Sequence, residues 1–392
     1  MAFQFPDNFL WGTSTAAAQI ETASDHNWRG VKAKDGFTFL RTSDHEQHRA
    51  EDAELIAELG SIYRCGVDWA RLQREAFAPF DKGVVLEYRT FFEDLRQRGV
   101  SILFVLHHFA HPRWFEEAGA FTTEDNTSAF IDYVQQCITH FGEYVVNWNT
   151  FNEPNVYALN GYVLGNFPPF KKNILTANRV LRTMGDAHDV AIELLHERCP
   201  GVPVGISFNT AIFKGETLLG KLPAAFTDWW FMRYAAKHFT NVDYWGLSYY
   251  AYVPFRPLPI TEIDNPGKLA QLGKPHDQMW GYYPQGLGEV LRRFYKKYKK
   301  PLLITESGIC TDDPERRIEA IRDYVGECRD ALQAGIPLMG YIHWSTFDNF
   351  EWQLGPTYRF GLVALDPVTK ARSRTSAGRY YSELVSTGRL AG

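Results

Sequence analysis

The run Trp148-Asn149-Thr150-Phe151-Asn152-Glu153-Pro154 closes an apolar stretch with an amide, a carboxyl group and a helix breaker. The residues leading into it, Tyr144-Val145-Val146-Asn147-Trp148, are short, β-branched and aromatic, as a buried strand requires. Pro154 has no N–H to give to a ladder, so the strand is expected to stop there. Asn152 and Glu153 are thereby set at the carboxyl end of a strand, where parallel α/β folds build their sites. A second stretch, Pro301-Leu302-Leu303-Ile304-Thr305-Glu306-Ser307-Gly308, has the same form: apolar strand, glutamate, turn residue. Two strand-end glutamates so far apart in the chain raise the question of whether they face one another.

Outward from these two stretches, strand-like runs followed by charged amphipathic segments recur at fairly even spacing. Eight are read: Phe9 to Ser14, Ser61 to Trp69, Ser101 to His108, Val145 to Asn152, Val204 to Asn209, Tyr244 to Tyr250, Pro301 to Thr305, and Leu338 to Ser345. Helical segments are expected at Arg49 to Leu59, Leu86 to Arg98, Ala129 to Phe141, Thr176 to Arg198, Leu287 to Lys299 and Glu315 to Ala334. A chain of 392 residues has room for two ordinary domains or one large barrel. Eight units without a low-complexity linker favour an α/β fold with a single (β/α)8 TIM barrel over residues 1–392. The longest irregular stretches, Ala18 to Asp44, Pro154 to Asn173 and Ala251 to Tyr283, would then wall a cleft on the catalytic rim.

Composition excludes several functions. A formal net charge of -5 with 22% charged residues gives no basic footprint for nucleic acid or an anionic membrane. No apolar run reaches the length of a membrane span, and the N-terminus shows no secretory signal. The five cysteines, odd in number and without C-x-x-C spacing, fit a reducing cytoplasm. Cys310 lies just past Glu306 but has no cationic neighbour in sequence, so packing is expected of it. No metal motif occurs, and His107, His108 and His111 read as strand end and turn, so no cofactor is expected. Aromatics, 15% of residues with 11 tryptophans, are more than a core needs and suit a sugar site, although most belong to the core.

At or near the carboxyl ends of the proposed strands stand Gln19, Arg64, His108, Asn152, Glu153, Tyr250, Glu306, Trp344, Glu351 and Trp352. Singly each has a structural explanation; together on one rim they would line a pocket of hydroxyl-binding groups. Glycoside hydrolysis needs two carboxyl groups flanking the bond, one to protonate the leaving oxygen and one to attack the sugar or activate water.

The pieces T-F-N-E-P at Thr150 to Pro154, I-T-E-S-G at Ile304 to Gly308 and W-S-T-F-D-N-F-E-W at Trp344 to Trp352 resemble the family 1 glycoside hydrolases, the β-glucosidase family. So do F-L-W-G-T-S-T-A-A-A-Q-I-E at Phe9 to Glu21 and Y-R-C-G-V-D-W-A-R at Tyr63 to Arg71. The resemblance runs in order over nearly the whole chain. It implies one catalytic barrel acting on small-molecule β-glycosides or oligosaccharides by a retaining mechanism. Glu153 would be acid/base and Glu306 nucleophile, their carboxyl groups about 5–5.5 Å apart. Arg64 and Tyr250 would hold the Glu306 pKa down, while the field of Glu306 and a drier setting would keep Glu153 protonated.

The same resemblance implies that Asn152 holds the sugar 2-hydroxyl, that Gln19, His108 and Trp352 hold the 3- and 4-hydroxyls, and that Glu351 holds the 4- and 6-hydroxyls. Trp344 would lie beneath the ring and Trp280 on the leaving-group side. Branches acting on phosphorylated sugars replace the glutamate and add a lysine and a tyrosine; here Glu351 remains, where it would repel a phosphate, and Phe360 stands in the tyrosine's place.

Three positions depart from the pattern. Ser248 replaces the asparagine of N-Y-Y, His107-His108-Phe109-Ala110 replaces Y-H-W-D, and Thr22 replaces a glycine after Q-I-E. These departures bear on glycone preference more than on mechanism. The chain is also compact for the family, which implies trimmed rim loops. Transglycosylation to a sugar or alcohol acceptor and a silent sugar-binding barrel are the alternative functions.

Overall fold

The computed structural model describes residues 2–390. Eight parallel strands close into a barrel: β1 (Leu10–Ser14), β2 (Ile62–Cys65), β3 (Ser101–His107), β4 (Val145–Asn152), β5 (Val204–Gly215), β6 (Tyr244–Phe255), β7 (Leu302–Ser307) and β8 (Leu338–Trp344). Closure runs through β1 and β8, with Leu10 opposite Gly340 and Ser14 opposite Trp344. Around the strands lie α1 (His45–Leu59), α2 (Lys82–Gln97), α3 (Thr127–Phe141), α4 (Ile174–Arg198), α5 (Leu218–Asp228), α6 (Gln285–Tyr298), α7 (Pro314–Gln333) and α8 (Ser376–Thr387).

The alternation of strand side chains makes two cores. Ile62, Leu103, Val105, Tyr244, Leu303 and Ile342, drawn from five strands, form a small buried cluster of their own; it fills the barrel interior, as layers of branched residues do in such barrels. The larger core lies between strands and helices, with Trp148, Phe151, Trp245 and Tyr341 among its buried members. Where strands and turns press closest only glycine fits: a Cβ on Gly12 would stand 1.8 Å from the Ile62 carbonyl oxygen.

The sequence reading places all eight strands, but several boundaries move. The second strand ends at Cys65 rather than Trp69, because the Asp68 side chain accepts from the Ala70 and Arg71 amides and caps a short helix, Trp69–Leu72. Pro154 does more than end a strand. It opens the helix Pro154–Leu159, a position where its missing N–H costs nothing. The stretch after β4 is therefore largely helical rather than irregular. β5 and β6 run past the expected Asn209 and Tyr250, pairing from Ala211 with Ala251 to Gly215 with Phe255 after a register shift. This extension forms a lip above the barrel, and α5, which the sequence reading does not contain, packs on it. The helix α8 is likewise absent from that reading.

Among the described residues, no helix is long and apolar enough to cross a membrane.

Candidate active site

One guanidinium organises the carboxyl ends of the strands. Arg64, on β2, is fully buried. Its Nη1 donates to Ser14 Oγ at 2.9 Å and to Glu306 Oε1 at 2.6 Å, and its Nη2 donates to Asn152 Oδ1 at 2.6 Å and Ser207 Oγ at 2.8 Å. A planar fork thus ties β1, β4, β5 and β7 to β2, which a point-like ammonium would not do. The other oxygen of Glu306 accepts from the Tyr250 hydroxyl at 2.9 Å. Glu306 is 4% exposed. Burial pushes its carboxyl above the ordinary value, while the Arg64 charge and the hydrogen bonds from Tyr250 and Arg64 pull it back. The sequence reading expects Arg64 and Tyr250 to hold this pKa down; here they offset burial only in part.

Glu153 takes the other side. It is the residue between β4 and the Pro154 helix, with φ +44° and ψ 58°, a left-handed conformation that costs a non-glycine residue about 1–2 kcal/mol. Such strain is tolerated where the surroundings fix a side chain's aim. Here the Glu153 N–H bonds to the Ser207 carbonyl, and Asn209 Nδ2 donates to Glu153 Oε1 at 2.9 Å. The carboxyl is pushed up to about 8, first by burial and next by the charge of Glu306. The two glutamates therefore lie within each other's field. Among the described residues no cation donates a hydrogen bond to Glu153; Arg64 acts on it through space.

The wall between β3 and β8 is aromatic and polar. Asn152 Oδ1 faces Arg64, so its amide nitrogen points to His108 Nε2, 2.9 Å away. This fixes His108 as the Nδ1–H tautomer, with Nε2 accepting and Nδ1 buried without a protein partner. Burial, Arg64 and His107 hold the ring well below its usual pKa, hence neutral. The ring lies 5.9 Å from both the Trp344 and the Trp352 ring. Gln19 sits on a short helix, Ala17–Ile20, directly after β1. Its Nε2 donates to Asn349 Oδ1, the Phe350 carbonyl and Glu351 Oε2, leaving its buried Oε1 open. Glu351 keeps some exposure to solvent at the mouth, yet protein crowding and the Glu306 charge push its carboxyl up to about 8. Glu351 and Trp352 lie in the loop after β8 rather than on a strand end.

Trp280 and Phe360 flank Tyr250, with ring centroids 5.8 and 6.0 Å from it. The Trp280 backbone is held by half-buried Asp277, which accepts from the Met279, Trp280 and Cys310 amides. Every site residue read from the sequence thus joins one connected constellation. Asn209, Ser14, Ser207 and Asn349 also belong to it, and the sequence reading does not contain them as site residues. Asn209 is the last residue of the expected fifth strand, and that position was the available signal.

The departures are also visible. Ser248 is opposite both Asn209 and Glu306 in the ladder. Its hydroxyl meets no partner in full hydrogen-bond geometry, yet it lies beside Glu153 and favours the charged form there. Phe109 packs its ring 5.2 Å from Trp352. His107 and His111 form a buried pair 3.1 Å apart, with His111 bonded on to Glu116. Among the described residues, no cluster of His, Cys, Asp or Glu fits a metal ion. Burial pushes the Cys310 thiol far up, so it is an inert packing group.

The sequence model of the family described as Glycosyl hydrolase family 1 matches residues 1–218 and 234–389. The chain belongs to this family. As a family 1 glycosyl hydrolase it is 28% identical to Beta-glucosidase A of Thermotoga maritima over 448 aligned positions covering 99% of each chain. It is 26% identical to Beta-glucosidase A of Acetivibrio thermocellus, covering 97% of this chain and 98% of that one. The 448 positions exceed the chain's own 392 residues, so that relative carries stretches which this family 1 member lacks. Among solved structures, the beta-glycosidase from Pyrococcus horikoshii superposes with a TM-score of 0.89 at 28% identity, covering 100% of this chain and 97% of that one. A family 1 β-glucosidase from Thermotoga maritima in complex with isofagomine lactam gives 0.90 at 25% identity, covering 100% of both. The family 1 chain is a glycoside hydrolase on a (β/α)8 barrel.

Proposed function

We propose that the chain, acting as one catalytic domain, is a retaining β-glycosidase that cleaves O-linked β-glucosides or near relatives by double displacement. Glu153 gives its proton to the glycosidic oxygen as Glu306 attacks the anomeric carbon, and the C–O bond to the leaving group breaks. Glu306 is then esterified and neutral. The Glu153 carboxylate takes a proton from water, the hydroxide oxygen bonds to the anomeric carbon, and the ester releases Glu306 with configuration retained.

What supports the reading is the contrast between the two buried glutamates: one pushed up to about 8 and so protonated at neutral pH, the other in a direct ion pair with Arg64. In the bound state Asn152 holds the 2-hydroxyl, His108 Nδ1 and Gln19 Oε1 meet the 3- and 4-hydroxyls with Trp352, and Glu351 takes the 4- and 6-hydroxyls. Trp344 lies under the ring, Trp280 borders the leaving group, and Phe360 backs Tyr250. Glucosides are the first choice because two relatives carry the name Beta-glucosidase A and solved relatives hold deoxynojirimycin and isofagomine lactam.

The test is chemical rescue. Glu306→Ala should lose nitrophenyl β-glucoside turnover by on the order of four decades or more, and azide should restore release with an α-glycosyl azide as product. A β-configured azide, or no rescue in a folded variant, overturns the assignment of Glu306.

A further inference from the structure

The helix α5 is built inside out. Its inward residues are small: Gly220 and Ala224 are buried, and Ala224 joins Ala211, Ala251, Val253 and Phe255 in a cluster against which Trp280 packs. Its outward residues are large and apolar. Leu218, Leu219 and Leu222 are 82%, 77% and 81% exposed, and Phe226 and Trp229 continue the stripe at helical spacing. A helix covering only its own core would carry these residues on the opposite face. The family match skips residues 219–233, which hold all of this stripe but Leu218.

The neighbouring rim segment has the same character. Leu164, Phe170, Ile174 and Leu175, at and before the start of α4, are exposed. The two segments are tied where Trp230 Nε1 donates to Asn178 Oδ1 at 2.8 Å. Together they hold nine of the seventeen large hydrophobic residues that stand exposed among the described residues, which marks a docking surface rather than scattered surface apolarity. The flanking charge has one sign. Residues 164–182 contain four Lys or Arg and no acid, in a chain of net charge -5. Beside α5, Lys214 and Lys221 are exposed, while its nearby acids are neutralised, Asp228 by Arg293 and Glu216 by Lys274.

We propose that this rim docks on an anionic lipid surface, with the α5 stripe and Phe170, Ile174 and Leu175 entering the headgroup region and Lys171, Lys172, Lys214 and Lys221 meeting lipid charge. Apolar side chains on one face with flanking lysines are the composition of an interfacial helix, and each basic residue near an anionic leaflet adds attraction. A second copy of the chain fits less well: an isologous contact would set this cationic rim against its own image. Since α5 lies after β5, on the rim that carries the glutamates, docking would turn the cleft toward the lipid surface. The whole-chain charge hides this local excess, so the sequence-level exclusion of an anionic membrane does not extend to this rim.

Flotation with vesicles of phosphatidylglycerol and phosphatidylcholine tests the proposal on the full chain. The protein is expected to float with mixed vesicles, weakly with phosphatidylcholine alone, and less as salt rises. The triple variant Leu218→Gln, Leu219→Gln, Leu222→Gln should lose the bound fraction by about ten-fold or more, and Lys171→Glu with Lys172→Glu should lower it selectively for anionic vesicles. Circular dichroism and melting temperature confirm that each variant folds, independently of any activity. No flotation of the wild type, or equal flotation of the triple variant, overturns the proposal. So does a wild-type dimer in light scattering that the triple variant converts to monomer without vesicle binding, which would assign the stripe to a second copy.

Discussion

The floor of the site and its upper wall hold the same functional group in opposite circumstances. On the floor, Glu306 is in an ion pair with Arg64 and accepts from Tyr250. On the walls, Glu153 and Glu351 have amide and indole neighbours but, among the described residues, no cation in hydrogen-bond contact, and both are pushed up to about 8. Burial raises all three carboxyl groups. The difference teaches that the placement of one arginine, more than depth, decides which glutamate is held toward its charged form.

The comparison breaks hardest at Glu153. If it is the wall acid, Glu153→Ala should lower kcat for poor leaving groups by about 10²–10⁴-fold and spare dinitrophenyl glycosides in the first step. The wild-type kcat/KM should fall as pH rises through about 8, because an acid is useful only while it holds its proton; in Glu153→Ala that alkaline limb should vanish. A limb that persists near 8 would move the assignment to another group.

Removing the cation should erase the contrast. Arg64→Met leaves Glu306 buried without its partner, and loss of half a buried pair destabilises by about 3–5 kcal/mol. Both limbs of the pH–rate profile should move up, since Arg64 lowers the pKa of Glu306 and of Glu153. Denaturant unfolding and pH–rate profiles measure the two effects.

On the wall, Glu351→Ala removes a carboxyl group that, pushed up to about 8, is mostly protonated at neutral pH. A sugar hydroxyl left buried without its partner costs about 1–3 kcal/mol, so kcat/KM for a glucoside should drop by roughly five- to a hundred-fold. Measured on a galactoside, whose 4-hydroxyl points elsewhere, the drop should be smaller. The smallest effect belongs to Ser248→Asn. A longer donor beside Glu153 favours its charged form, and the alkaline limb should fall by about half a pH unit. An upward shift would show that the new amide bonds to something else.

Much of this was legible in the chain because strand ends are local. The strand Val145–Asn152 is marked to the residue in the sequence, since a β-branched run and a proline bracket it. Arg64, Asn152, Glu153 and Glu306 followed from lying at such ends. What sequence periodicity does not carry is pairing across long separations: Asn349 meets Gln19 from 330 residues away, and Asn209 meets Glu153 only because β5 lies beside β4. No sequence signal marks the β5–β6 lip, because its run past Asn209 depends on a register shift that no alternation reveals. The helix α5 escaped for another reason. Its apolar stripe is not buried, so it lacks the charged outer face by which surface helices are recognised.

The Arg64 fork has a consequence for the reaction as a whole. Before attack the guanidinium and Glu306 sum to zero charge; once Glu306 is bonded to sugar, the same ion is left as a bare +1 in a sealed chamber. The anion that answers it through space is Glu153, newly stripped of its proton and already within its field. A fixed positive charge would thus pass its favour from one glutamate to the other without moving an atom, and the second half of the cycle would draw its base from the first.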